Sequence, residues 1–190
     1  MKPVIFFDMD GVLADFVGGA LAAHGRTDIP HAEVTWGIEA QLGIAPADFW
    51  SVCDFDFWAN LAVLDDGRKL IARAEWIAGA ANIALLTSPC DTKGCIDGKR
   101  AWIERHLPEY RRRAFFGSAK ELFAGPTKVL IDDHDDNCSK FSRAGGYALQ
   151  PARPWNRLGA SCVNGHEFNV ETAARLLEAA TDLIEYGSKP

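Results

Sequence analysis

Three runs of apolar residues have the length and composition of buried β-strands. They cover residues 4–7, 83–86 and 129–131. Each run is continuous rather than alternating, as expected for a strand of a parallel sheet that is covered by helices on both faces. Polar residues follow directly after each run, beginning with Asp8, Thr87 and Asp132. The pattern therefore predicts three parallel strands that deliver polar side chains to one edge of a sheet.

Helical patterns alternate with these strands. Residues 67–81 are rich in alanine and other helix formers, residues 99–106 lead to a Leu-Pro pair that ends a helix, and residues 170–186 have apolar positions at helical spacing. Residues 114–116 and 147–149 are candidates for short additional strands. This alternation predicts an α/β fold with a doubly wound, Rossmann-like parallel sheet.

The segment between about residues 15 and 64 has a different character. It is long and rich in aromatic residues, and it lacks a clear buried-strand run. We predict a small, mostly helical cap that is inserted after the first strand and lies over the end of that strand. With approximate boundaries, the predicted core comprises residues 1–14 and 80–190, and the predicted cap comprises residues 15–79.

The overall composition narrows the class of partner. Residues of hydrophobic type make up 48% of the 190 positions, enough for a proper core, and the net charge of −6 argues against general binding to duplex nucleic acid or to anionic membranes. A small phosphorylated substrate stays compatible with this charge. No signal peptide or transmembrane run is apparent, and the five scattered cysteines favour free thiols, so we predict a cytoplasmic protein.

The first strand ends in two carboxylates, Asp8 and Asp10, followed by Gly11. A strand covered on both faces cannot bury two unpaired carboxylates, so both must leave the sheet at the edge where open parallel sheets bind ligands. Hydrolysis of a phosphate monoester requires a nucleophile and a proton donor for the leaving oxygen. Asp8 is the candidate nucleophile, and Asp10 is the candidate general acid.

The later strands carry the remaining groups that this chemistry needs. Thr87 and Ser88 offer hydroxyl and N–H donors for phosphate oxygens, and Lys120 offers a cation. Asp132 or Asp133 supplies a further oxygen ligand for Mg²⁺ beside Asp8 and a main-chain oxygen near Asp10. Each piece alone has an ordinary structural explanation, such as a turn, a solvated lysine or a helix cap. Together they predict a magnesium-dependent phosphatase.

With these residues in place, the chain resembles the haloacid dehalogenase-like phosphatases. That superfamily carries a DxD motif after one strand, Thr or Ser after the next, then Lys, then an acidic pair. The resemblance is closer still to the 5'(3')-deoxyribonucleotidases, whose opening is similar to the run Asp8-Met9-Asp10-Gly11-Val12-Leu13-Ala14-Asp15-Phe16 with the following Gly18-Gly19. Thr87-Ser88-Pro89, Lys99 with Ala101-Trp102, and Leu130-Ile131-Asp132-Asp133 extend the similarity.

This resemblance implies an Mg²⁺-dependent enzyme that removes phosphate from (deoxy)nucleoside monophosphates through an aspartyl-phosphate. It implies a nucleophile at Asp8, an acid and base at Asp10, and a metal held by Asp8, the main-chain oxygen of Asp10 and one of the acidic pair. Spacing does not separate the two members of that pair, although we favour Asp133. The implied phosphate-binding residues are Thr87, Ser88 and Lys120.

The resemblance also implies an aromatic wall for the nucleoside. Phe16 matches a position that packs against the nucleoside in that family. Trp50 and Trp58 of the cap are candidates for stacking against a base, and the alternative is that they form the small core of the cap.

Other interpretations stay open at this point. A phosphatase of the same superfamily acting on a sugar phosphate or another small monoester would use the same motifs. A signalling receiver shares the residue types but carries them in a different order, and a catalytically silent binding module would not need both aspartates. Members of that family commonly carry a lysine soon after Thr-Ser-Pro, where this chain has Cys90-Asp91-Thr92-Lys93. A carboxylate at Asp91 would repel a phosphate, so this departure leaves the substrate open. The sequence leaves open whether the chain forms a homodimer.

Overall fold

A computed structural model describes residues 2–160 and 170–187 of the chain. Five strands form one sheet, and every strand pair in it is parallel. This confirms the predicted α/β class with a doubly wound parallel sheet. The strands are β1 (Val4–Phe7), β2 (Ile83–Thr87), β3 (Ala114–Phe116), β4 (Lys128–Ile131) and β5 (Tyr147–Leu149).

The strand order β3-β2-β1-β4-β5 places β1 at the centre. Phe7 of β1 pairs in register with Leu85 of β2 on one side and with Ile131 of β4 on the other. Because the chain first builds outward to β3 and then returns to the far side of β1, the strand order reverses beside β1. Ligands bind at such reversal points in open α/β sheets.

Nine helices are present in the described part of the chain, and they surround the sheet and form the cap. Their bounds are α1 (Phe16–Ala23), α2 (Ile38–Leu42), α3 (Pro46–Ser51), α4 (Phe55–Ala59), α5 (Asp65–Ala78), α6 (Cys95–His106), α7 (Asp135–Arg143), α8 (Arg157–Ala160) and α9 (Val170–Tyr186).

Alternate residues of the central strands point to opposite faces of the sheet, and each face is buried. Ile5 and Phe7 belong to the larger core cluster, which also holds Leu70 of α5 and Leu177 of α9. Phe6 belongs to a second cluster with Leu130 and with Phe141 of α7. Burial on both faces explains why these strands are continuously apolar in sequence.

The four short helices α1 to α4 lie between β1 and α5. Helices α1 to α3 share a small apolar cluster of their own, whereas α4 packs on α6 and places Trp58 in the larger core cluster. Val17, Leu21, Ile38 and Phe49 are buried there. Asp15 begins α1 as its N-cap by accepting a hydrogen bond from the backbone N–H of Gly18. Such a separate cluster is consistent with the predicted mostly helical cap.

The two ends of the segment that holds α1 to α4 are joined by backbone contacts. Ala14 and Val63 form an antiparallel bridge. The backbone N–H of Asp15 donates to the oxygen of Ala62 at 2.8 Å, and that of Leu64 donates to the oxygen of Leu13 at 2.9 Å. The chain therefore leaves the core and returns to it at neighbouring positions.

Helix α5 contacts β1, β2 and α9, although the predicted 15–79 cap includes it. Gly67 packs directly on the loop after β1, where an added Cβ would lie 2.0 Å from the carbonyl oxygen of Val12. The domain division stays a prediction, and this packing favours ending the proposed cap near Leu64.

Helix α5 differs from its predicted range at both ends and begins two residues early, at Asp65, whereas α6 differs at its start alone. Two of these differences occur at a glycine. Helix α5 ends at Ala78 because Gly79 adopts a φ of 86°, which leaves the helical region. Helix α6 begins at Cys95, four residues before the predicted start, directly after Gly94 with a φ of 88°.

Across the described residues, no helix has both the length and the apolar character that crossing a membrane requires.

Candidate active site

Three buried aspartates meet at the carboxyl ends of β1 and β4. Carboxylate oxygens of Asp8, Asp132 and Asp133 lie within 4.8 Å of one another. The backbone N–H of Asp8 donates to the oxygen of Ile131 at 2.8 Å, which fixes the two strand ends side by side. The structure thus brings together the acidic residues that the sequence predicted to share one edge of the sheet.

Lys120 lies between two of these aspartates. Its side chain is 1% exposed, and its Nζ is 2.8 Å from Asp8 Oδ1 and 2.6 Å from Asp132 Oδ2. Lys120 starts a short 3-10 turn just before β4, so the predicted approach from the loop preceding that strand is observed. Although burial alone would lower the pKa of Lys120, the two carboxylates raise it above its usual value, and the ammonium stays charged.

The two members of the acidic pair have different partners. Asp132 accepts hydrogen bonds from Lys120, from the backbone N–H of His134 at 2.9 Å and from Asn137 at 3.0 Å. Asp133 accepts a hydrogen bond from Trp155 Nε1 at 2.5 Å, and it lines a cavity that Asp132 does not reach. Both oxygens of Asp132 are thus occupied by protein donors, whereas Asp133 faces the cavity.

Burial, reinforced by neighbouring negative charge, raises the pKa values of this pair. Burial raises the pKa of Asp132 to about 6, and the charge of Asp8 acts in the same direction. Burial also raises the pKa of Asp133 well above its usual range, followed by repulsion from Asp132 and Asp8. A positive charge placed among these carboxylates would favour their ionised forms.

Gly11 allows the loop after β1 to turn close to Asp133. Its φ is 70°, and a Cβ added there would lie 2.2 Å from Asp133 Oδ2. The turn is closed by hydrogen bonds from the backbone N–H groups of Leu13 and Ala14 to the oxygen of Met9, each 2.8 Å long. A glycine is required here for both its conformation and its lack of a side chain.

Replacing Gly11 with alanine is expected to destabilise the protein more than the same change at Gly25. Both glycines have positive φ values, 70° and 65°, but a Cβ at Gly25 meets nothing within 4 Å. The backbone penalty of about 1–2 kcal/mol is common to both variants. Displacement of the Asp133 carboxylate adds about 1–3 kcal/mol to the Gly11 variant alone.

Urea unfolding of the two variants measures this difference directly. Gly25→Ala serves as the matched control for the positive φ. Equal losses of unfolding free energy in the two variants would show that the close approach of Gly11 to Asp133 has no energetic weight.

Lys99 is a second buried lysine at this site, and motif reasoning did not assign it a role. Its Nζ donates to Asp10 Oδ2 at 2.5 Å, to Thr87 Oγ1 at 2.9 Å and to the backbone oxygen of Ser88 at 2.8 Å. These contacts use all three donors of the ammonium group. Lys99 therefore joins the loop after β1 to the loop after β2. Lys99 lies in a run of residues that predicts an ordinary helix, so apart from the family resemblance nothing in the local sequence indicated a role in the site.

Asp10 lies about a quarter exposed beside this lysine. Its Oδ2 is held by Lys99, whereas its Oδ1 is buried and has no hydrogen-bond partner among the described residues. Burial raises the pKa of Asp10 against the opposing effect of Lys99. A carboxyl group with a raised pKa and one unengaged oxygen is suited to holding and transferring a proton.

A cavity of about 520 Å³ opens between the cap and these residues. Small-molecule sites typically have volumes of about 300–1,000 Å³. Seven of the predicted site residues line it: Asp8, Asp10, Ser88, Asp133, Phe16, Trp50 and Trp58. Thr87, Lys120 and Asp132 lie beneath them as buried residues, so all ten predicted site residues belong to one region.

The aromatic residues of the cap wall are stacked on one another. The ring of Phe16 lies between Trp50 and Trp58, with centroid distances of 5.7 Å and 5.6 Å and interplanar angles of 24° and 16°. Trp58 is only 2% exposed and donates a hydrogen bond to the oxygen of Cys53 at 2.9 Å. These residues therefore pack together in the core while also lining the cavity.

Two further tryptophans line the cavity, and sequence reasoning did not identify them. Trp36 of the cap is 64% exposed, and its ring lies 4.4 Å from the ring of His134 in the core. Trp155 is held by its hydrogen bond to Asp133. Neither contact joins residues near one another in sequence, so no local pattern could have revealed it.

The residues present fit a divalent cation. The cluster holds more negative than positive groups. Its ammonium groups are those of Lys99 and Lys120, and its carboxylates are those of Asp8, Asp10, Asp132 and Asp133. The donors are all oxygen atoms, which suit Mg²⁺. The excess of negative charge supports a site for a small, hard cation.

A known family and a known protein are similar in sequence to this chain over most of its length. The model of the family described as 5' nucleotidase, deoxy (pyrimidine), cytosolic type C (NT5C) matches residues 2–169. The cytosolic-type 5'(3')-deoxyribonucleotidase of Homo sapiens is 27% identical over 147 residues, which cover 69% of this chain and 70% of the human protein.

Solved structures share the fold, among them one of a protein of the haloacid dehalogenase-like family. A hydrolase of that family from Streptococcus pneumoniae superposes with a TM-score of 0.52 at 12% identity, covering 92% of this chain and 98% of its own. CbbY from Rhodobacter sphaeroides, solved in complex with phosphate, superposes with a TM-score of 0.52 at 21% identity, covering 96% of this chain and 100% of its own. At these identities the likeness concerns the fold alone.

The family match and the fold agree with the order of the motifs along the chain. A phosphatase is therefore the class of enzyme that the sequence predicted, and the receiver interpretation is not supported. The chain belongs to the cytosolic type C family of 5'-nucleotidases, and its fold is that of a haloacid dehalogenase-like protein.

Proposed function

We propose that this protein hydrolyses (deoxy)nucleoside monophosphates to nucleosides and phosphate through an aspartyl-phosphate on Asp8. The observation that carries the proposal is the meeting of Asp8, Asp10, Lys120 and the acidic pair at the ends of adjacent strands. Membership of a nucleotidase family supports the substrate class. The human relative's name includes 5'(3')-deoxyribonucleotidase, which supports the deoxy series.

In the first step, an oxygen of Asp8 attacks the phosphorus atom, and the bond from phosphorus to the nucleoside oxygen breaks. Asp10 donates its proton to that leaving oxygen. Lys120 holds Asp8 through Oδ1, and Lys99 holds Asp10 through Oδ2. The unengaged Oδ1 of Asp10 is the atom best suited to carry the transferred proton.

In the second step, water attacks the phosphorus atom of the aspartyl-phosphate, and Asp10 accepts a proton from that water. The bond between phosphorus and the Asp8 oxygen breaks, and the carboxylate is regenerated. The hydroxyl of Ser88 is available to the phosphate, whereas the hydroxyl of Thr87 is held by Lys99 and positions the loop.

We further propose that Asp8, Asp133 and the main-chain oxygen of Asp10 hold Mg²⁺. Bound there, the ion would offset negative charge on the phosphate oxygens. Asp133 is favoured over Asp132 because it faces the cavity, whereas Lys120, Asn137 and a backbone N–H occupy the oxygens of Asp132.

The nucleoside is proposed to lie against the aromatic wall of the cap. Phe16 and Trp50 are partly buried and line the cavity opposite the acidic residues. Stacking of a base on an aromatic side chain contributes about 1–3 kcal/mol. This wall favours a nucleoside monophosphate over a sugar phosphate, which has no flat apolar ring to stack.

Turnover of a panel of monophosphates tests the proposed function. We expect deoxyribonucleoside monophosphates to be hydrolysed with a kcat/KM at least about fivefold above that of hexose phosphates, which corresponds to the lower end of one stacking contact. Chelation of divalent ions should abolish phosphate release, and added Mg²⁺ should restore it. Equal turnover of the two substrate classes would reject the nucleotidase assignment while leaving a phosphatase.

Asp10→Asn is expected to impair nucleotide hydrolysis much more than hydrolysis of p-nitrophenyl phosphate. A nucleoside oxygen needs a proton as it leaves, whereas nitrophenolate leaves readily as an anion. General acid catalysis contributes about 10²–10⁴-fold, so the loss in kcat should fall in that range for nucleotides and be at least about tenfold smaller for the aryl ester, whose leaving group needs no proton. A loss of the same size with both substrates would contradict proton donation by Asp10.

A further inference from the structure

Cys90 lies in the loop between β2 and α6, on the wall of the active-site cavity, and contacts a second cysteine. The Sγ of Cys95 accepts a hydrogen bond from the backbone N–H of Cys90 at 3.3 Å. Cys90 is half-buried, whereas Cys95 is buried at the first position of α6. The proposed hydrolysis uses neither residue.

The surroundings of Cys90 favour its thiolate form. The hydrogen bond from the Cys95 thiol lowers the pKa of Cys90 to about 6, against the effect of burial, and Thr92 and Lys99 act in the same direction as Cys95. The Oγ1 of Thr92 lies 3.0 Å from Cys90 Sγ. Because the thiolate is the nucleophile in thiol chemistry, Cys90 is primed to react at neutral pH.

The other cysteines in the described part of the chain lack these features. Cys53 and Cys138 are buried, and burial raises the pKa of each thiol. Neither thiol lines the cavity, so neither can make the first attack on a molecule that enters it. Cys95 is also buried, and its pKa is raised first by Cys90 and then by burial, but as the second thiol of a pair it has to reach only Cys90. Cys90 therefore combines an opening to the cavity, a stabilised thiolate and an adjacent second thiol.

We propose that Cys90 and Cys95 form a thiol–disulfide exchange pair whose co-substrate is a low-molecular-weight disulfide of the glutathione type. Cys90 is the attacking residue because it faces the cavity, through which a small disulfide can enter. Cys95 is the resolving residue because it touches Cys90 from the buried side. The loop that joins them, residues 91–94, has no regular secondary structure that closure of the pair would break.

The proposed exchange proceeds in two steps. The Cys90 thiolate attacks one sulfur of the small disulfide, which forms a mixed disulfide and releases the first small thiol. Cys95 then attacks Cys90 Sγ, which forms the Cys90–Cys95 disulfide and releases the second small thiol. Two protein thiols are oxidised, the small disulfide is reduced, and the two protein protons leave on the released thiols.

A consequence for activity rests on the proposed function. An adduct on Cys90 would occupy the cavity that the nucleotide needs, and Cys90 lies two residues after Ser88. Phosphate release should therefore fall at least tenfold in the mixed-disulfide form and recover after reduction. If phosphate release did not change, the proposed function or the position of the adduct would be wrong, but disulfide formation by Cys90 and Cys95 would not be contradicted. Disulfide formation is measured separately by mass spectrometry.

The test uses the full chain with Cys162→Ser, since Cys162 lies outside the described residues. After incubation with oxidised glutathione, intact mass and peptide mapping should show loss of two hydrogen atoms and a disulfide between Cys90 and Cys95. Adding Cys95→Ser should trap a single glutathione on Cys90. Adding Cys90→Ser should prevent both products, whereas Cys138→Ser is the control that should behave as its parent.

A measurement on the same parent protein needs no further variant. Iodoacetamide should label Cys90 at least about tenfold faster than Cys53 and Cys138 at neutral pH, because only the thiolate reacts. Comparable labelling of the three cysteines would overturn the proposal. Glutathione adducts that persist at the same level after Cys90→Ser, or a mixed disulfide on Cys90 that Cys95 never resolves, would also overturn it.

Discussion

Asp8→Asn is expected to reduce kcat for nucleotide hydrolysis by on the order of 10⁴–10⁶-fold, the range seen when a residue of a nucleophilic site is removed. The amide that replaces the carboxylate is a poor nucleophile towards phosphorus and cannot form the aspartyl-phosphate. The substitution is nearly isosteric, so the cavity and its aromatic wall should be kept. A change in kcat far larger than any change in KM is the expected signature.

Asp91→Asn is the matched control for this variant. It makes the same carboxylate-to-amide change in the loop after β2, but Asp91 is exposed and lies outside the cavity lining. Its activity should stay within about twofold of the parent, since exposed substitutions seldom disturb a site. Phosphate release from Asp8→Asn at a rate close to that of Asp91→Asn would eliminate Asp8 as the nucleophile.

Lys120→Met is expected to lower the free energy of unfolding by about 3–5 kcal/mol and to remove most of the activity. Breaking a buried ion pair from one side has a cost of this size because it leaves an uncompensated charge. Here the change removes the only ammonium group within 4.0 Å of Asp8 and Asp132 among the described residues. Urea unfolding and phosphate release measure the two effects.

A second substitution separates charge from packing in this result. Asp132→Asn combined with Lys120→Met removes one of the two stranded carboxylates. We expect the double variant to lose about 0.5–3 kcal/mol less unfolding free energy than the sum of the losses of the two single variants, because the two residues are in direct contact. Lys93→Met, at an exposed lysine, is the control and should leave stability almost unchanged.

Strict additivity of Lys120→Met and Asp132→Asn would show that the ion pair has no coupling energy. The destabilisation would then have to come from packing of the lysine stem. Such a result would also weaken the proposed role of Lys120 in holding Asp8.

The sequence was sufficient to predict the sheet and the acidic end of the site because both are encoded locally. A strand buried on both faces must be continuously apolar, and a carboxylate that follows it must leave the sheet, as Asp8 does. Parallel strands then bring their carboxyl ends to one edge, which is why Asp132 and Asp133 reach Asp8 from far along the chain.

The remaining features depend on contacts that leave no periodic trace. Lys99 lies in an ordinary helical run, and only the folded structure shows that its ammonium group joins Asp10 to Thr87. Trp155 is 22 positions from Asp133, and Trp36 meets His134 across the cavity. Helix ends were shifted where Gly79 and Gly94 adopt positive φ values, a backbone choice that composition alone does not fix.

The bridge between Ala14 and Val63 brings the two ends of the segment between them together. Helices α1 to α3 of this segment can therefore vary without moving β1, whereas α4 packs on α6, whose Lys99 holds Asp10. Substrate choice can then change separately from phosphoryl chemistry in evolution where the contact between α4 and α6 is kept. Residues grafted from a related phosphatase in place of α1 to α3 should bring their own selectivity while the reacting carboxylates stay in place.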